Sequence, residues 1–243
     1  MIKCLNSNSL HRANTFDDLL DQTIQLGFAG LELNLNQNLE LNPEINNETL
    51  TALFEKARLK NVEILSLTTC SKDLFDLSGE NEEIRNAALE YFQKLIDSAA
   101  PPGAIAVIPA HQKQPLGSIP PGSYEQSFNH LFFSLQTLAA HAEKKSTRLA
   151  LETPGSGLLL SPLELRELID QVNNPYLGVC LNPHYVEKNT NPLDWCNILE
   201  LRILILHFPV EKLSKDFPHK YRQILDLLQN KNISLPAVHL IHP

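Results

Sequence analysis

Six polar residues stand where short apolar runs end. Glu152 closes Arg148–Leu149–Ala150–Leu151 and precedes the breakers Thr153–Pro154–Gly155. Glu32, Thr68, His111, Asn182 and His207 each cap, or lie just past, an apolar run of their own. Carboxylate, imidazole and amide groups gathered at strand ends are the makings of one polar site at one end of a parallel barrel. The segments between these runs must then be helices that return the chain to the opposite end.

The hydrophobic pattern supplies those elements. Strands are expected at Ile2–Asn6, Leu31–Leu35, Val62–Leu67, Ala104–Ile108, Arg148–Leu151, Leu177–Leu181, Ile203–Leu206 and Pro236–Ile241. A first helix capped at Thr15 carries Phe16, Leu19, Leu20 and Ile24 on one face and ends at Gly27. Asn47 caps a second. Ile84, Ala87, Ala88, Tyr91 and Leu95 mark a third, and Ser123 opens a long fourth with Phe128, Leu131, Phe132, Leu135, Leu138 and Ala142 inward. Ser161–Pro162–Leu163–Glu164 combines a cap, proline in the first turn and a carboxylate three residues on, which starts a fifth. Shorter helices begin near Asn191–Pro192 and cover about 221–228.

Eight strands alternating with helices, with no hairpin dipeptides, predict an α/β fold: a parallel eight-stranded (β/α)8 TIM barrel. An open doubly wound sheet would carry a glycine-rich phosphate turn after its first strand, and Asn6–Ser7–Asn8–Ser9 is not one. The last strand runs to the end of the sequence, so the usual final helix is expected to be missing. The apolar wall it would cover is a place for a second subunit, making a homodimer an expectation. The long stretches 34–47 and 109–122 fall at the strand C-terminal end, the second readable as a lid or as a solvated connection.

Composition narrows the classes. The 243 residues are evenly composed and 43% apolar, which suits one domain over 1–243. A formal charge of −8, with no basic cluster denser than Lys144–Lys145, argues against nucleic acid as a partner. No run is long enough to span a bilayer, and Met1–Asn6 has no apolar signal core. Cys4, Cys70, Cys180 and Cys196 are scattered singly with no C-x-x-C pair, as reduced, mostly buried thiols of a cytoplasmic protein would be, and a cysteine metal site is not expected.

Four ordered motifs carry a resemblance. They are Leu26–Gly27–Phe28–Ala29–Gly30–Leu31–Glu32–Leu33, Glu80–Asn81–Glu82–Glu83–Ile84–Arg85, His141–Ala142–Glu143–Lys144 leading to Leu149–Ala150–Leu151–Glu152, and Asn174 through Pro183. Together they resemble the xylose isomerase-like sugar isomerase/epimerase superfamily. That resemblance implies a divalent ion (Mn, Co, Zn or Mg) at the barrel mouth, held by carboxylates and a histidine from strands five to eight. It implies an open-chain sugar or polyol as substrate and proton transfer through an enediol-type intermediate.

Carried over position by position, Glu152 matches the strand-five ligand and base, His207 the strand-seven histidine, and Asn182 the place of a family aspartate. Asparagine can still bind through its carbonyl oxygen but brings no charge. Each has a plain structural alternative: a loop-capping carboxylate for Glu152, a hydrogen-bonded core residue for His207. Tyr185 falls where a substrate-contacting histidine is expected, with His184 one place early. Glu32, His111, His184 and Tyr185 form the expected substrate-binding set. Phe208–Pro209–Val210 lack the lysine and aspartate that accompany the family histidine, and no carboxylate side chain follows Asp226. His239 and His242 are the candidates to replace the strand-eight glutamate, His239 as second proton carrier. The remaining alternative is a non-catalytic relative, kept as a binding or interaction module with a decayed metal site.

Overall fold

The computed structural model describes residues 2–10, 13–35, 45–69, 76–109, 122–188, 190–210, 221–233, 235 and 237–241. Its strands are β1 (Lys3–Asn6), β2 (Gly30–Leu35), β3 (Glu63–Thr69), β4 (Ile105–Pro109), β5 (Leu149–Glu152), β6 (Leu177–Leu181), β7 (Ile203–Val210) and β8 (Ala237–Ile241). Each pairs in parallel with the next, and β8 pairs in parallel with β1, so the sheet closes into an eight-stranded barrel. The helices are α1 (Phe16–Gln25), α2 (Asn47–Leu59), α3 (Glu82–Ala99), α4 (Tyr124–Lys144), α5 (Pro162–Val172), α6 (Pro183–Val186), α7 (Pro192–Leu199) and α8 (Arg222–Asn230). Among the described residues no helix follows β8, and none is long and apolar enough to cross a membrane.

Local chemistry explains the helix starts. Thr15 and Asp18 satisfy each other's backbone N–H groups in a full capping box at α1. Asn46, one residue before the expected cap, accepts from the Thr49 N–H at 2.8 Å and starts α2. Ser161 caps α5 with Pro162 in the first turn, and Asn173 ends it in the left-handed conformation. Two predicted faces are rotated. In α1 the fourth buried position is Thr23, whose hydroxyl is satisfied by the Leu19 carbonyl at 2.7 Å, while Ile24 is 44% exposed. In α3 the buried stripe starts at Ala88 and runs through Phe92, Leu95, Ile96 and Ala99, leaving Ile84 outside.

The core has two compartments. A large one lies between barrel and helices, and a small one fills the barrel itself with Cys4, Ile105, Val107, Ala150, Cys180 and Ile205. Because side chains on a strand alternate, the residues two further along share the inner face. Those residues are Asn6, Pro109, Glu152, Asn182 and His207. An apolar floor therefore carries a polar layer at the strand C-terminal end. Gly178 stands on this inner wall at the β6/β7 register shift, where an added Cβ would lie 2.5 Å from Leu204 Cγ and 2.6 Å from the Arg202 carbonyl oxygen. The absence of a side chain lets β7 bulge against β6 there.

Candidate active site

Glu152 is the last residue of β5, and the next residue fixes its neighbour. Thr153 N–H donates to the Cys180 carbonyl at 2.9 Å, and Thr153 Oγ1 accepts from Asn182 N–H at 2.9 Å. The ends of β5 and β6 are thereby locked together with the Glu152 and Asn182 side chains adjacent. Asn182 Nδ2 donates to Glu152 Oε1 at 3.1 Å. Asn182 is fully buried, yet its Oδ1 has no hydrogen-bond partner. An orphaned buried acceptor is costly and rare in native structures.

His207 crosses the polar layer from β7. Its Nδ1 lies 3.1 Å from Glu152 Oε1 and its Nε2 lies 2.9 Å from Glu32 Oε2. Glu32, from β2, has no solvent exposure; it also accepts from Asn6 Nδ2 at 2.5 Å and Ser66 Oγ at 2.6 Å. Asn6 is itself oriented because its Oδ1 accepts from Asn8 N–H at 2.9 Å. An imidazole thus spans two carboxylates from opposite sides of the barrel. Burial works against its charged form, but the Cys180 sulfur and the Glu32 and Glu152 carboxylates outweigh it and hold the His207 pKa well above the usual imidazole value. Beneath, burial pushes the Cys180 thiol up to about 12.

The ligand atoms of Glu152, Cys180 and His207 all lie within 4.8 Å of one another, the spacing of a set that can hold a metal ion. Of these groups Glu152 reaches solvent, its side chain 22% exposed against 3% for His207. Tyr185, in α6, packs its ring against Gly155, where an added Cβ would meet ring atoms at 3.4 Å. Burial first, then the Glu152 carboxylate, raises the phenol pKa.

The structure brings together four of the expected residues, Glu32, Glu152, Asn182 and His207. Glu32, expected on substrate, is hydrogen-bonded with His207, Asn6 and Ser66. His184 faces Glu187, its Nδ1 3.1 Å from Oε1. His111 and His242 lie outside the described residues. His239 is in register with Leu5 and Phe208, both of the outer core, whereas Val238 shares the level of Cys4 and His207. Sequence reasoning missed Asn6, Ser66, Thr153 and Cys180. The available signal was parity: Cys180 precedes Asn182 by two, and Ser66 is the polar interruption of an apolar strand.

A comparison with curated proteins finds no match. Solved structures do match in shape. The apo 3-keto-D-glucoside 4-epimerase YcjR of E. coli is 13% identical with a TM-score of 0.82, over 100% of this chain and 93% of its own. An L-ribulose 3-epimerase is 13% identical with a TM-score of 0.83, over 100% and 82%. The D-psicose 3-epimerase of Clostridium cellulolyticum, solved with D-tagatose, is 14% identical with a TM-score of 0.81, over 98% and 84%. At such identities the likeness speaks for the fold. The family model described as xylose isomerase-like TIM barrel matches residues 20–208. That match over most of the sequence, on a closed parallel barrel with its polar layer at the strand C-terminal end, makes this chain a member of the xylose isomerase-like TIM barrel family.

Proposed function

We propose that the chain is a sugar isomerase/epimerase-like enzyme that moves a proton on a small sugar or polyol with the help of a divalent cation. The observation that carries this reading is the meeting of Glu152, Asn182 and His207, from three successive strands, over a closed apolar floor with Glu152 open to the mouth. The epimerase activities in the names of the structural neighbours support the substrate class.

The residues fit a cation. Asn182 Oδ1 is a buried acceptor that lacks a donor, and carboxylate, amide oxygen and imidazole form a mixed O/N donor set. Glu152, Asn182 and His207 would hold the ion, which when bound polarises a carbonyl and lowers the barrier to removing the neighbouring C–H proton. Glu152, the exposed carboxylate, takes and returns that proton. Glu32 fixes the plane of the His207 ring by holding Nε2–H, as carboxylates behind metal-binding histidines do. Tyr185 closes one wall and excludes water above Glu152. His239 enters this scheme with no assigned step, since its register is that of Leu5 and Phe208.

The test is solvent exchange. Protein loaded in turn with manganese, cobalt, zinc or magnesium is incubated in D2O with aldoses, ketoses and polyols, and carbon-bound deuterium is followed by NMR. Deuterium entering one substrate with wild type, and lost with Glu152→Gln, is expected. No exchange with any metal, together with no thermal shift on adding any of them, rejects the reading.

One set of observations favours a second reading, a binding module with a decayed site. Asn182 is uncharged, no carboxylate side chain follows Asp226, and both ring nitrogens of His207 already face carboxylates. In that case Glu152→Gln leaves ligand binding and every activity unchanged.

A further inference from the structure

We infer that Cys180 is a direct ligand and that the site takes a borderline-soft ion of the zinc class through Glu152, Cys180 and His207; this rests on the metal-centre reading above. The inference starts from position. Cys180 is in register with Glu152 on β5 and with Ile205 on β7, two residues before His207. Its sulfur shares the 4.8 Å cluster with a Glu152 oxygen and a His207 nitrogen. Bonds of about 2.3 Å to sulfur and about 2.0 Å to nitrogen or oxygen are reached from that spacing by small side-chain shifts.

Charge points the same way. Asn182 contributes no anion, so a site made of Glu152, Asn182 and His207 holds one negative charge against a divalent cation. A Cys180 thiolate restores the second. On binding, the S–H proton passes to solvent and the freed sulfur lone pair forms the bond to the ion, with no change of oxidation state. Asn182 Oδ1, buried and unpartnered, belongs to the same amide whose nitrogen sits 3.1 Å from Glu152 Oε1, so an acceptor is in reserve at that point. Thiolate and imidazole select zinc or cobalt over magnesium and manganese, which prefer sites built from oxygen.

The experiment uses the full chain stripped of metal and titrated with cobalt, zinc, manganese and magnesium. One cobalt ion per chain with a sulfur-to-cobalt charge-transfer band in the near ultraviolet is expected. Calorimetry in two buffers of different ionisation enthalpy should show proton release on zinc binding. Cys180→Ser should lose the band and weaken zinc binding roughly tenfold or more, with fewer protons released. Cys4→Ser should keep the band. Because Cys180→Ser can fail to fold, the wild-type band and proton release stand as an independent test. Cobalt bound without the band, or a band that survives in folded Cys180→Ser, overturns the thiolate while leaving the metal-centre reading intact. No uptake of any of the four ions overturns both.

Discussion

Removing the Glu32 carboxylate is the sharpest perturbation of the polar layer, because everything around it is buried and donates to it. Glu32→Ala leaves Asn6 Nδ2, Ser66 Oγ and His207 Nε2 without their acceptor at once. Breaking a buried ion pair by deleting one partner costs about 3–5 kcal/mol, mostly from the charge left behind. Glu32→Gln is gentler but not neutral. Glu32 Oε1 serves Asn6 and Oε2 serves Ser66 and His207, so the new NH2 group faces the Asn6 donor in one orientation and in the other requires His207 Nε2 and Ser66 Oγ to accept, which gives up the charged imidazole. Turning Asn6 to meet it sacrifices the bond from Asn8 N–H to Asn6 Oδ1. One lost charged hydrogen bond then predicts about 2 kcal/mol. Urea unfolding in the presence of a chelator, so that bound metal adds nothing, measures both variants. A double-mutant cycle with His207→Ala should return a coupling of about 2 kcal/mol or more. Glu32→Ala within about 1 kcal/mol of wild type, or no coupling to His207, would refute the proposed clamp.

Asn182→Asp places a second carboxylate beside Glu152 in exchange for a hydrogen bond, so without metal it should lose about 1–2 kcal/mol; zinc should then stabilise it more than wild type in thermal-shift titrations, and equal shifts would contradict this. Gly178→Ala forces a Cβ to within 2.6 Å of the Arg202 backbone oxygen, so denaturant unfolding should show a loss of about 1–3 kcal/mol, and an unchanged midpoint would contradict the packing. The Cys180 and Cys196 thiols are both pushed up to about 12, chiefly by burial. Peptide mapping after iodoacetamide treatment at pH 8 should find neither labelled until the chain is unfolded, and rapid labelling of the native protein would contradict that burial.

The barrel was legible because strand ends and helix caps are local events. Thr15 and Ser161 each cap a helix through residues within a few positions, and Thr153–Pro154–Gly155 mark the end of β5 in the sequence itself. The rotated faces of α1 and α3 had another cause: an apolar residue one position away from the buried arc fits a helical period nearly as well as the true one. Thr23 illustrates this, since its hydroxyl is satisfied within its own helix and so enters the core without penalty. The site was half legible. Parity along a strand places Glu152, Asn182 and His207 on one face, but it does not say how far each side chain reaches across the barrel. The 2.9 Å separation between Glu32 Oε2 and His207 Nε2 is a reach of that kind. Cys180 reads in the sequence as a buried thiol and not as a ligand, because a lone cysteine in an apolar strand is ordinary core, and only three-dimensional proximity to Glu152 and His207 sets it apart.

Glu152 and His207 are proposed to share a cation at the barrel mouth, and anomalous diffraction from crystals soaked in zinc would locate it. One strong anomalous peak should appear bonded to a Glu152 oxygen and a His207 ring nitrogen at roughly 2.0–2.2 Å. The Cys180 sulfur or Asn182 Oδ1 should complete the set. Crystals that bind zinc only elsewhere, with His207 still bridging Glu32 and Glu152, would contradict it.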